Sequence, residues 1–274
     1  MADLISPDFT FSQSNLQTFS FCRRRFYLRY IKKLIWPAQL VSDQQYIQDR
    51  DAGVRLHNLV HQHFLNIEPA LLRKIADADP DTRVAAWFEN FLASPMSTLS
   101  GKIAPEETFT TKIEGYPLSA KVDLLQIEDE EIKIYDWKTS RHLPKASTLQ
   151  KQMQSKFYPL VISRVFDLHF MDNESTKLTL VYWEANFPDK TIEIKSTHAD
   201  WQKYQLEITT LIDLIRSLQA EEFVSTPDEQ KCAWCEYRSY CRHGSDESSA
   251  EEVEEVDLLE GLTKIPGNAF DFWG

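Results

Sequence analysis

Asp123 and the run Asp136-Trp137-Lys138 are the residues of this chain best placed to do chemistry; Cys22, Cys232, Cys235 and Cys241 are the best placed to hold a metal. Asp123 lies in LSAKVDLLQI and Asp136 in IKIYDWKT, two strand-like stretches separated by the acidic turn Glu128-Asp129-Glu130-Glu131. With Asp129-Glu130 as a two-residue tip, cross-strand partners have numbers that add to 259, and Asp123 stands opposite Asp136. Opposed residues share a face about 5 Å apart, so two carboxylates there repel unless something neutralises them. Lys138 projects to the same face, two residues on. Leu125, Ile127, Ile132 and Ile134 complete that face, and Val122, Leu124, Tyr135 and Trp137 the other. Charge is therefore being placed inside a sheet, and a divalent cation is its natural partner. Two carboxylates with open positions beside a lysine suit phosphodiester hydrolysis: the cation neutralises phosphate charge, and lysine orients or deprotonates the attacking water. The bland reading is a structural Asp–Lys pair at a sheet edge; Asp123 on the neighbouring strand is what argues against it.

The cysteines read C-x2-C-x5-C at 232, 235 and 241, with Cys22 more than 200 residues upstream. Four thiolates suit an iron–sulfur cluster or a structural zinc, and spacing does not choose between them. If they meet, they clamp the N-terminal part to the C-terminal part. The competing reading is a few buried cysteines packed as small apolar groups.

At 274 residues and 42% hydrophobic, the chain can bury a full core. It shows no apolar run of 18 residues and no basic-then-apolar leader, so a cytoplasmic address, with no membrane association, is the expectation. The net charge of −12 is unevenly spread. Nine acids and the single base Lys264 fall between Ser245 and Gly274, so that segment carries most of the negative charge and reads as a disordered, solvating tail. Near the other end, Arg23, Arg24, Arg25, Arg29, Lys32 and Lys33 are interleaved with Phe21, Phe26, Tyr27 and Tyr30. That pattern suits a phosphate backbone with stacked bases, and equally a solvated helix with one apolar side.

The elements that must position these residues follow from periodicity. Helices are expected over about 11–35, 53–65, 81–92, 149–166 and 199–218, and strands over 107–113, 118–127, 132–139, 177–185 and 191–196. The order predicts a mixed α/β fold: a three-strand meander, with no signal for a doubly wound sheet.

Asp123 followed by Asp136-Trp137-Lys138 resembles the metal-binding core of the PD-(D/E)XK nuclease superfamily. Gln154-x-x-x-Tyr158 and Gly53-x-x-x-His57 resemble motifs of its RecB-type exonuclease branch. The cysteine layout is similar to the [4Fe–4S] staple of the CRISPR-associated exonucleases and of the AddB subunit of a helicase–nuclease. SQSNLQTFSFCRRRFYLRY is similar to that group's opening, and the likeness spans roughly residues 10 to 243 in the family's order. The chain departs from the pattern at Ala120, where glycine is frequent, and at Arg23, where proline is common after the first cysteine.

The resemblance implies a restriction-endonuclease-like core, its mixed sheet flanked by helices. It also implies a helical N-terminal part (10–95), a catalytic core (105–220) and a cysteine region (221–244), together one nuclease domain over 1–244 before the 245–274 tail. It implies Asp123, Asp136 and Lys138 as catalytic residues, and Mg²⁺ or Mn²⁺ held by His57, Asp123, Asp136 and the Trp137 carbonyl. His61 and His63 compete with His57, and Glu107 is a possible extra carboxylate. Iron is implied at Cys22, Cys232, Cys235 and Cys241, with zinc as the alternative. Gln154, Tyr158, Arg23, Arg24 and Arg25 would meet DNA, as single strands or ends. A helicase or CRISPR integration proteins are the implied partners. The expected function is metal-dependent DNA exonuclease action in repair, recombination or CRISPR adaptation; the alternative is a non-catalytic end-binding or scaffold subunit of a helicase or integration complex.

Overall fold

The computed structural model describes residues 4–35, 44–128, 131–168, 177–232 and 235–243. The expected Asp129-Glu130 tip and the acidic segment 245–274 lie outside the described residues. The strands are β1 (Phe11–Ser12), β2 (Lys102–Pro105), β3 (Thr108–Ile113), β4 (Tyr116–Lys121), β5 (Leu124–Glu128), β6 (Glu131–Lys138), β7 (Lys177–Glu184) and β8 (Thr191–Ser196). The early helices are α1 (Gln13–Phe21), α2 (Arg23–Phe26), α3 (Gln44–Phe64), α4 (Pro69–Asp77) and α5 (Thr82–Ala93). The later ones are α6 (Ala146–Leu149), α7 (Met153–Val165), α8 (His198–Ser217), α9 (Glu229–Cys232) and α10 (Arg238–His243). None of the described helices is long and apolar enough to cross a membrane.

A five-stranded sheet in the order β2-β5-β6-β7-β8 carries the chemistry-bearing residues, and a smaller sheet runs β1-β4-β3. The large sheet is mixed. β6 and β7 are parallel, joined through α7, while the other neighbours are antiparallel. Register between β5 and β6 is as expected: Leu124 faces Tyr135 and Ile127 faces Ile132, which carries Asp123 towards Asp136. Alternation then sorts the faces. Ile132, Ile134, Leu178, Leu180 and Tyr182 are buried with Leu16, Phe157, Leu160, Ile208 and Ile212 of α1, α7 and α8. Leu124, Tyr135, Trp137, Val181 and Trp183 are buried on the other side with Leu56, Val60, Val84, Phe88 and Phe91 of α3 and α5.

Three expectations are corrected. The stretch 118–127 is not one strand: it leaves the small sheet at Lys121 and enters the large one at Leu124. Val122 therefore packs with Leu125 and Ile134, not on the face of Leu124 as strict alternation requires. The expected meander is thus split between two sheets, with Asp123 at the break. The expected helix over 11–35 opens two residues later and is broken at Cys22, whose extended backbone (φ −160°, ψ 116°) ends α1 and starts α2. Its thiol accepts from the Arg25 N–H at 3.5 Å, a cap that satisfies one orphan donor of the new helix. A π-helical turn, Tyr27–Ile31, follows. The expected helix over 149–166 is α7, which opens four residues later at Met153, after a separate short α6 that ends at Leu149. The sequence reading also missed β1 and β2, too short for a period to stand out, and α4, whose nine residues do carry a helical apolar period. Between β3 and β4 stands a two-residue turn: Glu114 (φ 51°) and Gly115 (φ 85°) both take the left-handed backbone that a type I′ turn demands.

Candidate active site

The break between β4 and β5 frees Asp123 from the ladder at the end of the large sheet. There its Oδ2 accepts the Trp137 N–H at 2.8 Å. That bond ties it to the strand carrying Asp136 and Lys138. From the other side comes α3, whose close approach depends on Gly53: a Cβ there would lie 3.2 Å from the Thr139 hydroxyl, just past β6. One turn on, His57 is aimed at the strand end. Its Nε2 lies 2.9 Å from the Trp137 carbonyl and its Nδ1 3.3 Å from Asp123 Oδ1.

Asp136, only 4% exposed, points to the α7 side of the sheet. Its Oδ1 accepts from the Gln154 amide, and its Oδ2 faces the Lys138 ammonium at 2.5 Å without hydrogen-bond geometry. Gln154 Oε1 in turn accepts from Lys138 Nζ at 3.1 Å, so one glutamine braces both members of the pair. Lys138 also stands over the Tyr182 ring at 5.6 Å. Tyr158, one turn beyond Gln154, is half-buried beside it, close enough for the Asp136 and Asp123 charges to act on its hydroxyl.

The electrostatics follow from this packing. Burial alone would discharge His57, but Asp123, Asp136 and Glu106 outweigh it and raise its pKa to about 9. Burial pushes Asp123 up, and the His57 charge together with the Trp137 N–H more than reverses that, holding it below the ordinary carboxylate range. Asp136 is pushed above that range: burial and the Asp123 charge outweigh the nearby lysine. Burial works to discharge Lys138 as well, yet Asp136 prevails and keeps it charged. Perturbed carboxylates side by side in this way are characteristic of functional sites.

Glu106 was missed by the sequence reading, which weighed its neighbour Glu107. Glu107 is exposed on the surface, whereas Glu106 Oε1 comes within 4.0 Å of His57 Nδ1. The signal was the β2–β5 register. Pro105 pairs with Leu124, and one step on the Glu106 N–H donates to the Asp123 carbonyl at 2.8 Å. Without β2 recognised, that step was invisible. Among the described residues, His57, Glu106 and Asp123 are the set whose ligand atoms all lie within 4.8 Å of one another. One imidazole and two carboxylates make a donor set suited to Mg²⁺, Mn²⁺ or a similar ion.

Of the other histidines, His63 is turned away, its Nε2 against the Ser97 carbonyl at 2.9 Å among Phe64 and Phe91. The basic segment is divided. Arg25 is bound to Glu236 at 2.7 Å, while Arg23 and Arg24 lie over the rings of Phe19 and Tyr27. Cys22, Cys235 and Cys241 approach one neighbourhood. Burial raises Cys241 above the ordinary thiol range, with contributions from Cys22 and Cys232, and raises Cys235 to about 11, with one from Cys241.

Residues 10–242 match the PD-(D/E)XK nuclease superfamily. No curated protein matches the chain in sequence. Among the solved structures similar to it are two crystal structures. One, a "Putative exonuclease" from Eubacterium rectale, is 11% identical and covers 94% of each chain, with a TM-score of 0.50; this is a likeness of fold. The other, SSO0001, is 15% identical and covers 87% of this chain and 88% of its own, with a TM-score of 0.38. With the match extending over most of its length, and Asp123, Asp136 and Lys138 gathered at one strand end, the chain belongs to the PD-(D/E)XK nuclease superfamily.

Proposed function

We propose that the protein is a divalent-metal-dependent DNA exonuclease of the RecB-type branch, acting on ends or single strands. The observation that carries this reading is the juxtaposition of Asp123, Asp136 and Lys138, with His57 brought in by α3. A divalent cation among these carboxylates would neutralise the scissile phosphate and the charge that develops on it. Asp123, Asp136, His57 and the Trp137 carbonyl are the groups expected to surround it. Hydrolysis adds a water oxygen to phosphorus, breaks one P–O ester bond and delivers a proton to the departing alcohol. Lys138, kept charged beside Asp136, is placed to orient that water or donate to a phosphate oxygen. Gln154 holds Lys138 and Asp136 at fixed separation, and Tyr158 beside it offers a ring to the incoming strand. Arg23 and Arg24, whose guanidinium groups lie on rings, are proposed to meet the phosphate backbone farther out.

We further assign Cys22, Cys232, Cys235 and Cys241 to a structural [4Fe–4S] cluster, with zinc as the competing occupant. Work beside a helicase or CRISPR integration machinery in the cytoplasm is the setting this reading predicts.

The test is release of nucleotides from single-stranded DNA labelled at either end, with Mg²⁺, with Mn²⁺ and with EDTA. Wild type should cleave only with metal. Asp123→Ala, Asp136→Ala and Lys138→Ala should each lose about a thousandfold or more in rate while still binding DNA. Tight binding of ends with no cleavage under any metal would instead make this a non-catalytic end-binding subunit, and cleavage by Asp136→Ala would remove the catalytic assignment.

A further inference from the structure

A second carboxylate lies beside Lys138, outside the motifs and outside the hydrolytic steps. Glu184 ends β7, next to Lys138 in the parallel β6–β7 register. Alternation along β7 puts it on the face of Leu178, Leu180 and Tyr182, which is the face of Asp136 and Lys138. Its side chain is fully buried, at 0% exposure. A buried carboxylate is costly unless hydrogen bonds and a nearby cation compensate it. The bonds come from one residue: Oε2 accepts the Ser140 N–H and Oε1 the Ser140 hydroxyl, both at 3.2 Å. The cation is Lys138, which favours the charged form of Glu184 as Glu184 favours that of Lys138.

The chain leaves β6 immediately after Lys138, and three consecutive residues hold it as it does so. The Ala185 N–H donates to the Lys138 carbonyl at 2.8 Å, Glu184 takes the Ser140 N–H and hydroxyl, and the Asn186 amide donates to the Ser140 carbonyl at 3.0 Å. Asn186 is itself held by Trp87 and Ala185 by Asn90, both on α5. Lys138 therefore stands on a clamped backbone. Its ammonium meets Asp136 at 2.5 Å, Gln154 Oε1 at 3.1 Å and the Tyr182 ring at 5.6 Å. Glu184 comes next after Tyr182 on that face. Asp136 is also wanted as a cation ligand, so its charge is not reserved for Lys138. Glu184 is the carboxylate on this face with no such second duty.

We propose that Glu184 is a positioning residue for Lys138: through Ser140 it fixes the backbone just past the lysine, and its buried charge keeps the ammonium in place while Asp136 serves the cation. This rests on the nuclease reading of the strand end.

The test separates charge from shape. Glu184→Gln keeps both hydrogen bonds, because the new carbonyl can accept the Ser140 N–H while the amide donates to the Ser140 hydroxyl oxygen; only the charge is lost. Its kcat on single-stranded DNA with Mn²⁺ should fall about tenfold or more, with KM within about twofold of wild type. A carboxylate that served shape alone would leave kcat unchanged in this variant. The second measurement needs no cleavage: melting temperatures in EDTA for wild type, Glu184→Gln, Lys138→Met and the double variant. Beside the Lys138 ammonium the buried charge is compensated, and without it the charge stands alone. Glu184→Gln should therefore be more favourable in the Lys138→Met background by about 2 °C or more. Wild-type kcat in Glu184→Gln, or an equal temperature shift in both backgrounds, overturns the proposal. If Glu184→Gln does not fold, Ser140→Ala takes its place: with Oε1 released, kcat should fall severalfold at unchanged KM, and wild-type kcat there overturns the proposal as well. No cleavage by wild type would sink the nuclease reading, and the melting comparison would still decide whether Glu184 acts on Lys138.

Discussion

At the residue scale, His57 shows how the site stores charge in the absence of metal. Charged at neutral pH, it presents one N–H to the Asp123 carboxylate and the other to the Trp137 carbonyl. Its folded pKa of about 9 lies above the unfolded value near 6.5, so its contribution to stability is fully present below about pH 6.5 and is lost as the pH rises through about 9. The lowered Asp123 pKa records the same contact and is not counted twice. In EDTA the protein should therefore lose stability between about pH 6.5 and 9, by an amount on the order of 3 kcal/mol. His57→Gln should flatten that slope in denaturant titrations. A wild-type slope matching that of His57→Gln over this range would show that the imidazole is neutral. Much of this site was legible in sequence, because a two-residue hairpin fixes which residues oppose each other. Glu106 was not, since its placement depends on a four-residue strand and a left-handed backbone that no period reveals.

The elements position the site through two close approaches. One is Gln154 at the start of α7, which reaches the pair on β6 because the parallel β6–β7 crossover lays that helix over the strand end. The other is α3 at Gly53, against Thr139. The Gly53-x-x-x-His57 spacing now has a cause: the glycine sets how near the helix comes, and the histidine one turn later uses that nearness. Gly53→Ala gains about 1 kcal/mol of helix propensity but pushes a methyl group to 3.2 Å from the Thr139 hydroxyl. Global stability should change by less than about 1 kcal/mol, because the two effects oppose. Cleavage should fall about tenfold or more, because His57 is carried away from Asp123. Comparing the melting curve with kcat checks this; an unchanged kcat would mean that Thr139 simply rotates aside. The helices themselves were readable from apolar periodicity, but their breaks were not. Cys22 interrupts a run that keeps its apolar spacing on both sides, and nothing in that spacing marks the extended residue between.

At the scale of the whole molecule, the ends of the described chain are joined before any metal is considered. Arg25 on α2 is paired with Glu236, the Tyr237 hydroxyl donates to the Leu34 carbonyl at 2.9 Å, and the Arg24 N–H donates to the Val224 carbonyl at 3.1 Å. One part-buried ion pair and two hydrogen bonds each contribute modestly, so these contacts align the two regions more than they hold them. A cluster on Cys22, Cys232, Cys235 and Cys241 would close a loop of more than 200 residues, and restricting the unfolded chain by that much is where a staple contributes most. Half-buried thiols with raised pKa values, Cys235 and Cys241, resist forming the thiolates that ligation needs, so a bound metal must supply the compensating charge. Protein purified without oxygen should be brown and contain about four irons per chain, and Cys241→Ser should bleach it. The same variant should lower the melting temperature by several degrees or more, whereas Glu236→Gln should lower it far less. Because α2 begins at Cys22, the loss should extend to DNA affinity through Arg23 and Arg24, with a reduced salt dependence of binding. One zinc per colourless chain would keep the staple and reject the cluster; a metal-free chain whose stability is indifferent to Cys241→Ser would show that contacts such as those of Glu236, Tyr237 and Phe223 join the two regions without a metal.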